Sequence, residues 1–306
     1  MILTLVGPNA YLLSTEIDKR KADFIENWSD LAVEQLDAEE VEYQKIYDSL
    51  TNLPFLVAKK LVILKNPSKN SEFVKAADKL IADLGESTDL IIVETKPDHR
   101  SSYLKMLSKN TELIEYPEAT EPNLSKWLIN LAKQKGGEIS VSDSQYLINM
   151  VGTNQMRLFN EVKKLISFET KITKSSIDLL VEPTPQSTIF QLLDATFASR
   201  TKEVMRIYED QRAQSVEPQQ IIAMLAWQLH ILAIVSSAEG KSSADIASTA
   251  RLNPFVVRKS QQISPKINLS ELRQTIKRVL RLDLDLKSKT IDADDALLQL
   301  LLSIAS

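Results

Sequence analysis

The chain contains 306 residues with a net charge of −4, of which 43% are hydrophobic and 25% charged, the balance of a soluble globular protein with two or three domains. The negative net charge excludes a free-standing nucleic-acid binder that is held by bulk positive charge. The chain has only six glycines, and because glycine disfavours helices this scarcity predicts a largely helical protein.

The N-terminal third alternates strand-like and helix-like segments. Residues 2–6 form an apolar run without the charged start and cleavage site of a signal peptide, so we interpret them as a buried strand that ends at Gly7. Strands that alternate with helices predict a layered α/β domain with a parallel sheet. A direct check is whether residues 61–64 lie beside residues 2–6 in that sheet. The predicted strands are residues 2–6, 61–64, 90–94 and 112–116, and the predicted helices are residues 11–28, 72–84 and 101–107.

Helical signals dominate after residue 118. Pro122 fits a first helical turn, and apolar residues then recur at helical spacing as far as Gly136. Residues 221–235 are apolar nearly all round, so we expect neighbouring helices to enclose them. No apolar run reaches the roughly eighteen residues that cross a bilayer, which predicts a cytoplasmic protein without a membrane partner. The predicted helices are residues 121–135, 142–150, 154–168, 174–181, 188–198, 202–214, 218–237, 243–250, 254–262, 269–286 and 293–304.

A nucleotide-binding loop is almost present after the first strand. In the pattern G-x-x-x-x-G-K-[ST] the last three residues approach phosphate and magnesium. Gly7 occupies the first position, but the last three are Leu12, Leu13 and Ser14, and leucine cannot supply the missing cation. After residues 61–64 the chain continues with Lys65 and Asn66 rather than the acidic pair that holds magnesium. The pattern fits either an unrelated α/β fold or a nucleotide-binding fold that no longer binds nucleotide.

Few other residues could hold a metal or a cofactor. The chain has no cysteine, which excludes disulfides, thiolate catalysis and cysteine-ligated metals. Its two histidines, His99 and His230, have no plausible ligand near them in the sequence. We therefore predict no catalytic site, no metal and no cofactor.

Five segments in chain order resemble the delta subunit family of the bacterial DNA polymerase III clamp loader. The opening LTLVGPNAYLLSTEIDKR is similar to the strand–loop–helix with which that family begins, and LTNLPFLVAKKLVILKNPSK is similar to its clamp-contact loop and next strand. The third segment, VGTNQMRLFNEVKKLISF, resembles the family's middle-domain helix. The last two, STIFQLLDATFASR and AWQLHILAIVSSAEGKSSADIASTARLNPFVVRK, resemble the start and the later part of its C-terminal domain.

The resemblance implies three domains. They are an AAA+-like α/β domain with a degenerate nucleotide site at residues 1–119, a small helical lid-type domain at 120–184, and an all-helical collar domain at 185–306. It also implies a protein that opens the ring-shaped sliding clamp for loading onto primed DNA, without a catalytic site of its own, inside a nucleotidyltransferase holoenzyme. Its partners would be the beta clamp and, through the collar, the gamma- or tau-type ATPase subunits and delta-prime.

The apolar run between a predicted helix and the strand at 61–64 is the candidate clamp contact. It contains Leu53, Pro54, Phe55 and Leu56, and short apolar anchors on an exposed element are typical of docking into a preformed groove. The resemblance places the family's clamp-inserting pair on Phe55 and Leu56, with the aromatic and aliphatic residues exchanged. The alternative is that this run belongs to the protein's own core.

Two further patterns have alternative interpretations. Residues 241–263 have the outline of a helix-turn-helix DNA reader with Arg251, Arg258 and Lys259 as contacts. However, residues 185–306 carry nearly as many acidic as basic side chains, which disfavours a DNA-binding domain. An active ATPase is a third, weaker reading. In the predicted helix at 269–286, a basic stripe formed by Arg273, Lys277 and Arg281 follows helical spacing. It is a solvated face, a DNA contact or a collar contact.

Overall fold

A computed structural model of the chain describes residues 1–54, 57–238 and 240–305, with only the backbone of Glu121. These residues form two compact units. The first comprises Met1–Ala119 with Asn154–Met156, and the second comprises Thr120–Thr153 with Arg157–Ser306. The division into three domains therefore stays a prediction.

The first unit contains a five-stranded parallel sheet with the strand order β2-β3-β4-β1-β5. The parallel α/β fold is confirmed, but β3 does not lie beside β1, because β4 runs between them. Sequence patterns do not determine which strands become neighbours. The elements are β1 (Ile2–Val6), α1 (Ala10–Asn27), β2 (Val33–Asp37), α2 (Tyr43–Thr51), β3 (Lys60–Lys65), α3 (Ser71–Ala82), β4 (Thr88–Glu94), α4 (Ser102–Asn110) and β5 (Glu112–Glu115).

Both faces of this sheet are covered, which explains why its central strands are continuous apolar runs. Helix α1 packs on one face through Leu13, Ile17 and Phe24. Helices α2, α3 and α4 pack on the other face, around the fully buried Phe73. Strand β2 was not predicted. It lies at the edge of the sheet and buries only Leu36, so its apolar signal is weak.

Among its described residues, the second unit is helical apart from one short pair of parallel strands, β6 and β7, which the sequence did not reveal. Two-residue strands are too short to produce an apolar period. Its elements are α5 (Glu121–Gln134), β6 (Glu138–Ile139), α6 (Val141–Val151), α7 (Gln155–Phe168), β7 (Lys171–Ile172), α8 (Lys174–Leu180), α9 (Pro185–Phe197), α10 (Thr201–Ala213), α11 (Pro218–Ser237), α12 (Ser243–Ala250), α13 (Pro254–Ile263), α14 (Leu269–Ser288) and α15 (Ala293–Ala305).

Helix α11 lies in the large apolar core that α9 to α15 share. Our expectation that its neighbours enclose it is only partly correct, because Ala223, Ala226 and His230 are exposed and 42% of Trp227 is accessible. An all-round apolar sequence does not show which face meets the protein's own chain. Among the described residues, α11 is the one helix that is long and apolar enough to cross a membrane by length and composition. Our expectation that no apolar run reaches the roughly eighteen residues that cross a bilayer was therefore wrong for this helix. Its buried residues Ile221, Leu225, Leu229 and Leu232 are those of a core helix.

Candidate functional site

The loop that we predict to be a degenerate nucleotide site lies at the carboxyl end of β1. Gly7 has φ +129°, and a Cβ at this position would lie 2.3 Å from the carbonyl oxygen of Tyr116. Only glycine fits this turn. Leu13 is 3% exposed and packs with β1 and β3, so it is a core residue. The Ser14 hydroxyl is directed at Asp18, 3.4 Å away.

The side chain of Asn9 fills the start of α1. It is 6% exposed, and its Oδ1 accepts from the backbone amide of Leu12 at 3.1 Å. Its Nδ2 donates to the carbonyl oxygen of Pro117 at 3.1 Å and to Oε1 of Gln155 at 2.6 Å. The first turn of a helix is a ready anion site when its amides are free. Here the Asn9 side chain accepts a hydrogen bond from one of these amides, that of Leu12.

The polar side chains at the carboxyl ends of β3 and β4 bond to groups of the protein itself. Asn66 follows β3 in the left-handed conformation, with φ 49°, and its Oδ1 accepts from the Thr95 hydroxyl at 2.8 Å. Glu94 ends β4 and is 2% exposed. It accepts from the backbone amide and the hydroxyl of Ser68, at 2.8 and 2.7 Å. This carboxylate connects β4 to the turn after β3.

Sequence reasoning missed Glu94, although a lone acid at the end of a buried apolar strand was a usable signal. Burial raises the pKa of Glu94, while the two hydrogen bonds from Ser68 act in the opposite direction. Burial and the charge of Glu94 in turn raise the pKa of Tyr103. The Glu94 carboxylate is therefore bound by polar groups of the protein itself.

The candidate clamp contact lies at the opposite, amino end of the sheet. Helix α2 ends at Thr51, and Leu53 follows with 82% of its surface exposed. Pro54 is half-buried. Phe55 and Leu56 lie outside the described residues. Val57 is partly buried against the core that contains α1.

Polar contacts surround both flanks of this segment. The Lys60 ammonium donates to the carbonyl oxygen of Asn52, and Lys59 Nζ lies 3.3 Å from Asp89 Oδ1. Ser49 of α2 donates to Glu34 of β2 at 2.7 Å. Sequence reasoning did not assign a role to Lys60. A lysine next to a loop is usually a surface residue, whereas this one is 8% exposed.

The basic stripe lies on the exposed face of α14. Arg273, Lys277 and Arg281 are all exposed, and Nε of Arg281 is 4.0 Å from Asp285. Leu280 and Leu284 lie among them, each 55% exposed. The face is therefore mixed, with apolar side chains between cations.

The segment proposed as a helix-turn-helix is built into the second unit. Lys259 Nζ donates to the carbonyl oxygen of Asn149 at 2.8 Å, and it lies 5.4 Å and 4.9 Å from the ring centroids of Phe190 and Phe255. A lysine held between two rings and a helix-end carbonyl is engaged by its own protein. Arg258 also has a partner within the chain.

A cavity of about 430 Å³ adjoins Lys259. Its charged residues are connected in pairs: Arg200 bonds Asp194 at 2.5 Å and Glu203 at 2.6 Å, and Lys266 bonds Asp194. These contacts hold α9, α10 and the turn after α13 together. No group of three or more histidine or acidic residues arranged for a metal occurs within residues 1–54, 57–238 and 240–305.

Comparison with known proteins covers nearly the whole chain. Residues 3–117 match the family model of the DNA polymerase III delta subunit, and residues 186–304 match that of its C-terminal domain. The chain is 26% identical to the DNA polymerase III subunit delta of Bacillus subtilis (strain 168), over 94% of this chain and 88% of that protein. The solved structure of the Bacillus subtilis DNA clamp loader delta protein (YqeN) has the same fold, with a TM-score of 0.70, 23% identity, and coverage of 99% of this chain and 95% of that one. The order of motifs, the two matched regions and the shared fold agree: this chain belongs to the delta subunit family of DNA polymerase III.

Proposed function

We propose that this protein binds and opens the sliding clamp for loading onto primed DNA, and that residues 53–56 make the clamp contact. The observation that carries the proposal is the exposure of Leu53. A leucine that is 82% exposed contributes little to its own fold, and it stands beside Pro54 at the junction of α2 and β3. An exposed apolar residue at such a junction is suited to a groove on a partner.

The protein performs no chemistry of its own in this proposal. Asn9 occupies the start of α1, Leu13 is in the core, and Lys65 and Asn66 stand where a magnesium-binding ATPase has acidic residues. ATP turnover then belongs to sister subunits, and nucleotidyl transfer belongs to the polymerase of the same holoenzyme. The protein needs no cofactor and works in the cytoplasm.

The all-helical region from α9 to α15 serves as the collar that joins the gamma- or tau-type ATPase subunits and delta-prime. The exposed face of α14 supports a protein contact here. If α14 bound the DNA backbone, Leu280 and Leu284 would remain exposed to water. Against a protein surface they would become buried. Primed DNA then meets this subunit through the assembled loader.

Nothing in the geometry favours the helix-turn-helix alternative as a second function. Lys259, one of its expected DNA contacts, is bound to Asn149. The ATPase alternative lacks both the phosphate-binding lysine and the acidic pair.

The decisive experiment measures binding to the sliding clamp of the same organism. The double change Phe55→Ala with Leu56→Ala should remove about 3–6 kcal/mol of binding free energy, since burying a side chain of this size contributes roughly 1.5–3 kcal/mol. That corresponds to at least about a hundredfold weaker affinity. The melting temperature should not change, because the anchors serve the partner.

The matched control is Leu31→Ala, which removes a 90% exposed leucine from the same α/β unit and should leave clamp binding unchanged. A double variant that binds the clamp normally contradicts the proposal. A variant that melts many degrees lower assigns the run to the core instead.

A further inference from the structure

Donors from two other helices bind the carboxyl end of α6. Helix C-termini leave carbonyl groups unsatisfied and carry partial negative charge. The carbonyl oxygen of Asn149 accepts from the Ser187 hydroxyl at 2.5 Å and from Lys259 Nζ at 2.8 Å. The carbonyl oxygen of Met150 accepts from the backbone amide of Thr184 at 3.0 Å. The last turn of α6 is therefore bound to the start of α9 and to α13.

Lys259 differs from the other two donors in its charge and in its place in the chain. Those two lie where the chain runs from α8 into α9, whereas Lys259 lies 110 residues after Asn149. Its ammonium group is 5.4 Å and 4.9 Å from the ring centroids of Phe190 and Phe255. A cation is favoured both beside aromatic faces and at a helix C-terminus. The bond from Lys259 thus joins α6 to a distant helix through a charged group.

The boundary beside this bond is not closely packed. The cavity of about 430 Å³ is lined on one side by Tyr146, Asn149 and Met150 of α6 and on the other by residues of α9, α10 and α13. Closely packed helices resist displacement through many contacts, but the cavity leaves α6 with fewer contacts on this side. The position of this end of α6 therefore depends on the polar bonds beside the cavity, of which that from Lys259 is charged.

We propose that Lys259 is a positioning residue: it holds α6 against α9 and α13, and so fixes α6 and the helices packed on it, α5 and α8, while the loader opens the clamp. In the chain, residues 118–185 separate the segments that the two family models match. Force that passes along the chain from one segment to the other crosses these helices. The functional part of this inference rests on the proposed clamp opening. A hydrogen bond to a charged group shifts an equilibrium roughly tenfold to a hundredfold.

The test compares Lys259→Met with Lys266→Met. Lys266 lines the same cavity, but its bond to Asp194 connects α9 with the turn after α13. We expect amide hydrogen exchange at residues 148–152 to become about tenfold faster in Lys259→Met, at a temperature where the protein is fully folded. Exchange in the rest of the α9–α15 core should not change. Lys266→Met should leave exchange at residues 148–152 as it is in the wild type.

A distance measurement shows whether α6 and its neighbours move. Because the chain has no cysteine, spin labels can be attached at Ser175→Cys on α8 and at Ser270→Cys on α14, both of which are exposed. With no other change we expect one narrow distribution of distances between the labels. Adding Lys259→Met should broaden this distribution, and adding Lys266→Met should not.

Two replacements test whether the cation itself is required. Lys259→Arg keeps a cation and should keep exchange slow at residues 148–152. Lys259→Cys can be alkylated with 2-bromoethylamine in denaturant and refolded, which restores an ammonium group on a side chain of nearly the length of lysine. Slow exchange should return. Alkylation with bromoethane adds the same two carbons without the ammonium group and should not restore it. This pair also supplies the measurement if Lys259→Met does not fold.

The loader reconstituted with its sister subunits tests the functional part. Lys259→Met should bind the clamp with wild-type affinity, because residue 259 is not part of the proposed clamp contact. It should load clamps onto primed DNA about tenfold more slowly, the factor by which the hydrogen bond shifts the equilibrium.

The outcomes distinguish this inference from the proposal on which it rests. Unchanged exchange at residues 148–152, an unchanged distance distribution or an unchanged loading rate overturns the inference. A lower melting temperature with faster exchange throughout the α9–α15 core assigns Lys259 to general stability and also overturns it. If the wild-type loader does not load clamps, the proposed function itself fails, whatever the exchange at α6 shows.

Discussion

The side-chain oxygen of Asn9 accepts a hydrogen bond from the backbone amide of Leu12 at 3.1 Å. In a working nucleotide-binding loop the amides of this turn face phosphate. Here an uncharged side chain of the same loop occupies one of them, and no lysine follows. The Asn9 side chain therefore caps the start of α1.

This relationship predicts that the isolated protein neither binds ATP tightly nor hydrolyses it. Titration calorimetry with ATP and magnesium should detect no binding at micromolar concentrations. Ser14→Ala is the matched variant, because Ser14 stands where the magnesium-binding hydroxyl would be. Micromolar binding that disappears in Ser14→Ala would restore the ATPase interpretation.

The burial of Glu94 leads us to predict that the stability of the folded protein depends on pH. Burial raises the pKa of Glu94 in the folded protein, so the folded state holds this proton more tightly than the unfolded chain. The stability that this residue contributes is present at low pH and is lost as the pH rises through the raised pKa. Glu94→Gln keeps an acceptor for the Ser68 amide without the buried charge.

We therefore expect Glu94→Gln to melt at a higher temperature than the wild type at pH 8, with a difference that shrinks towards pH 5. Thermal unfolding across this pH range checks it. Glu26→Gln, an exposed carboxylate on α1, is the control. A constant difference at all pH values, or a variant less stable at pH 8, contradicts the prediction.

Because apolar side chains lie between cations on the exposed face of α14, we predict that removing these apolar side chains weakens assembly of the loader. Leu280 and Leu284 are each about half exposed, so covering each contributes roughly 1 kcal/mol. Leu280→Ser with Leu284→Ser should weaken association with sister subunits about tenfold to a hundredfold, with the melting temperature unchanged. Analytical ultracentrifugation of the reconstituted loader measures this.

The comparison variant on the same face is Arg273→Ala with Lys277→Ala. If this change lowers salt-dependent DNA binding by the assembled loader while the leucine pair has no effect on assembly, the stripe is a DNA contact instead.

Local patterns were sufficient for much of the fold. Four of the five strands of the parallel sheet and the long C-terminal helices followed from apolar runs and helical spacing, because each depends on residues close together in the chain. Strand β2 was not predicted, because an edge strand that buries only Leu36 has no strong alternation of apolar and polar residues. The position of β4 between β1 and β3 depends on packing between distant segments.

The features of the candidate site were likewise predictable from the sequence only in part. The sequence alone placed Leu12 and Leu13 where a nucleotide-binding loop has its glycine and lysine, and Lys65 and Asn66 where such a fold has its acidic pair. It also determined that an apolar run precedes β3. Only the tertiary structure decided that Leu53 is exposed while Lys60 and Glu94 are buried. Burial depends on what other segments place around a residue, and a charged side chain in a sequence looks like a surface residue until the fold supplies its partner.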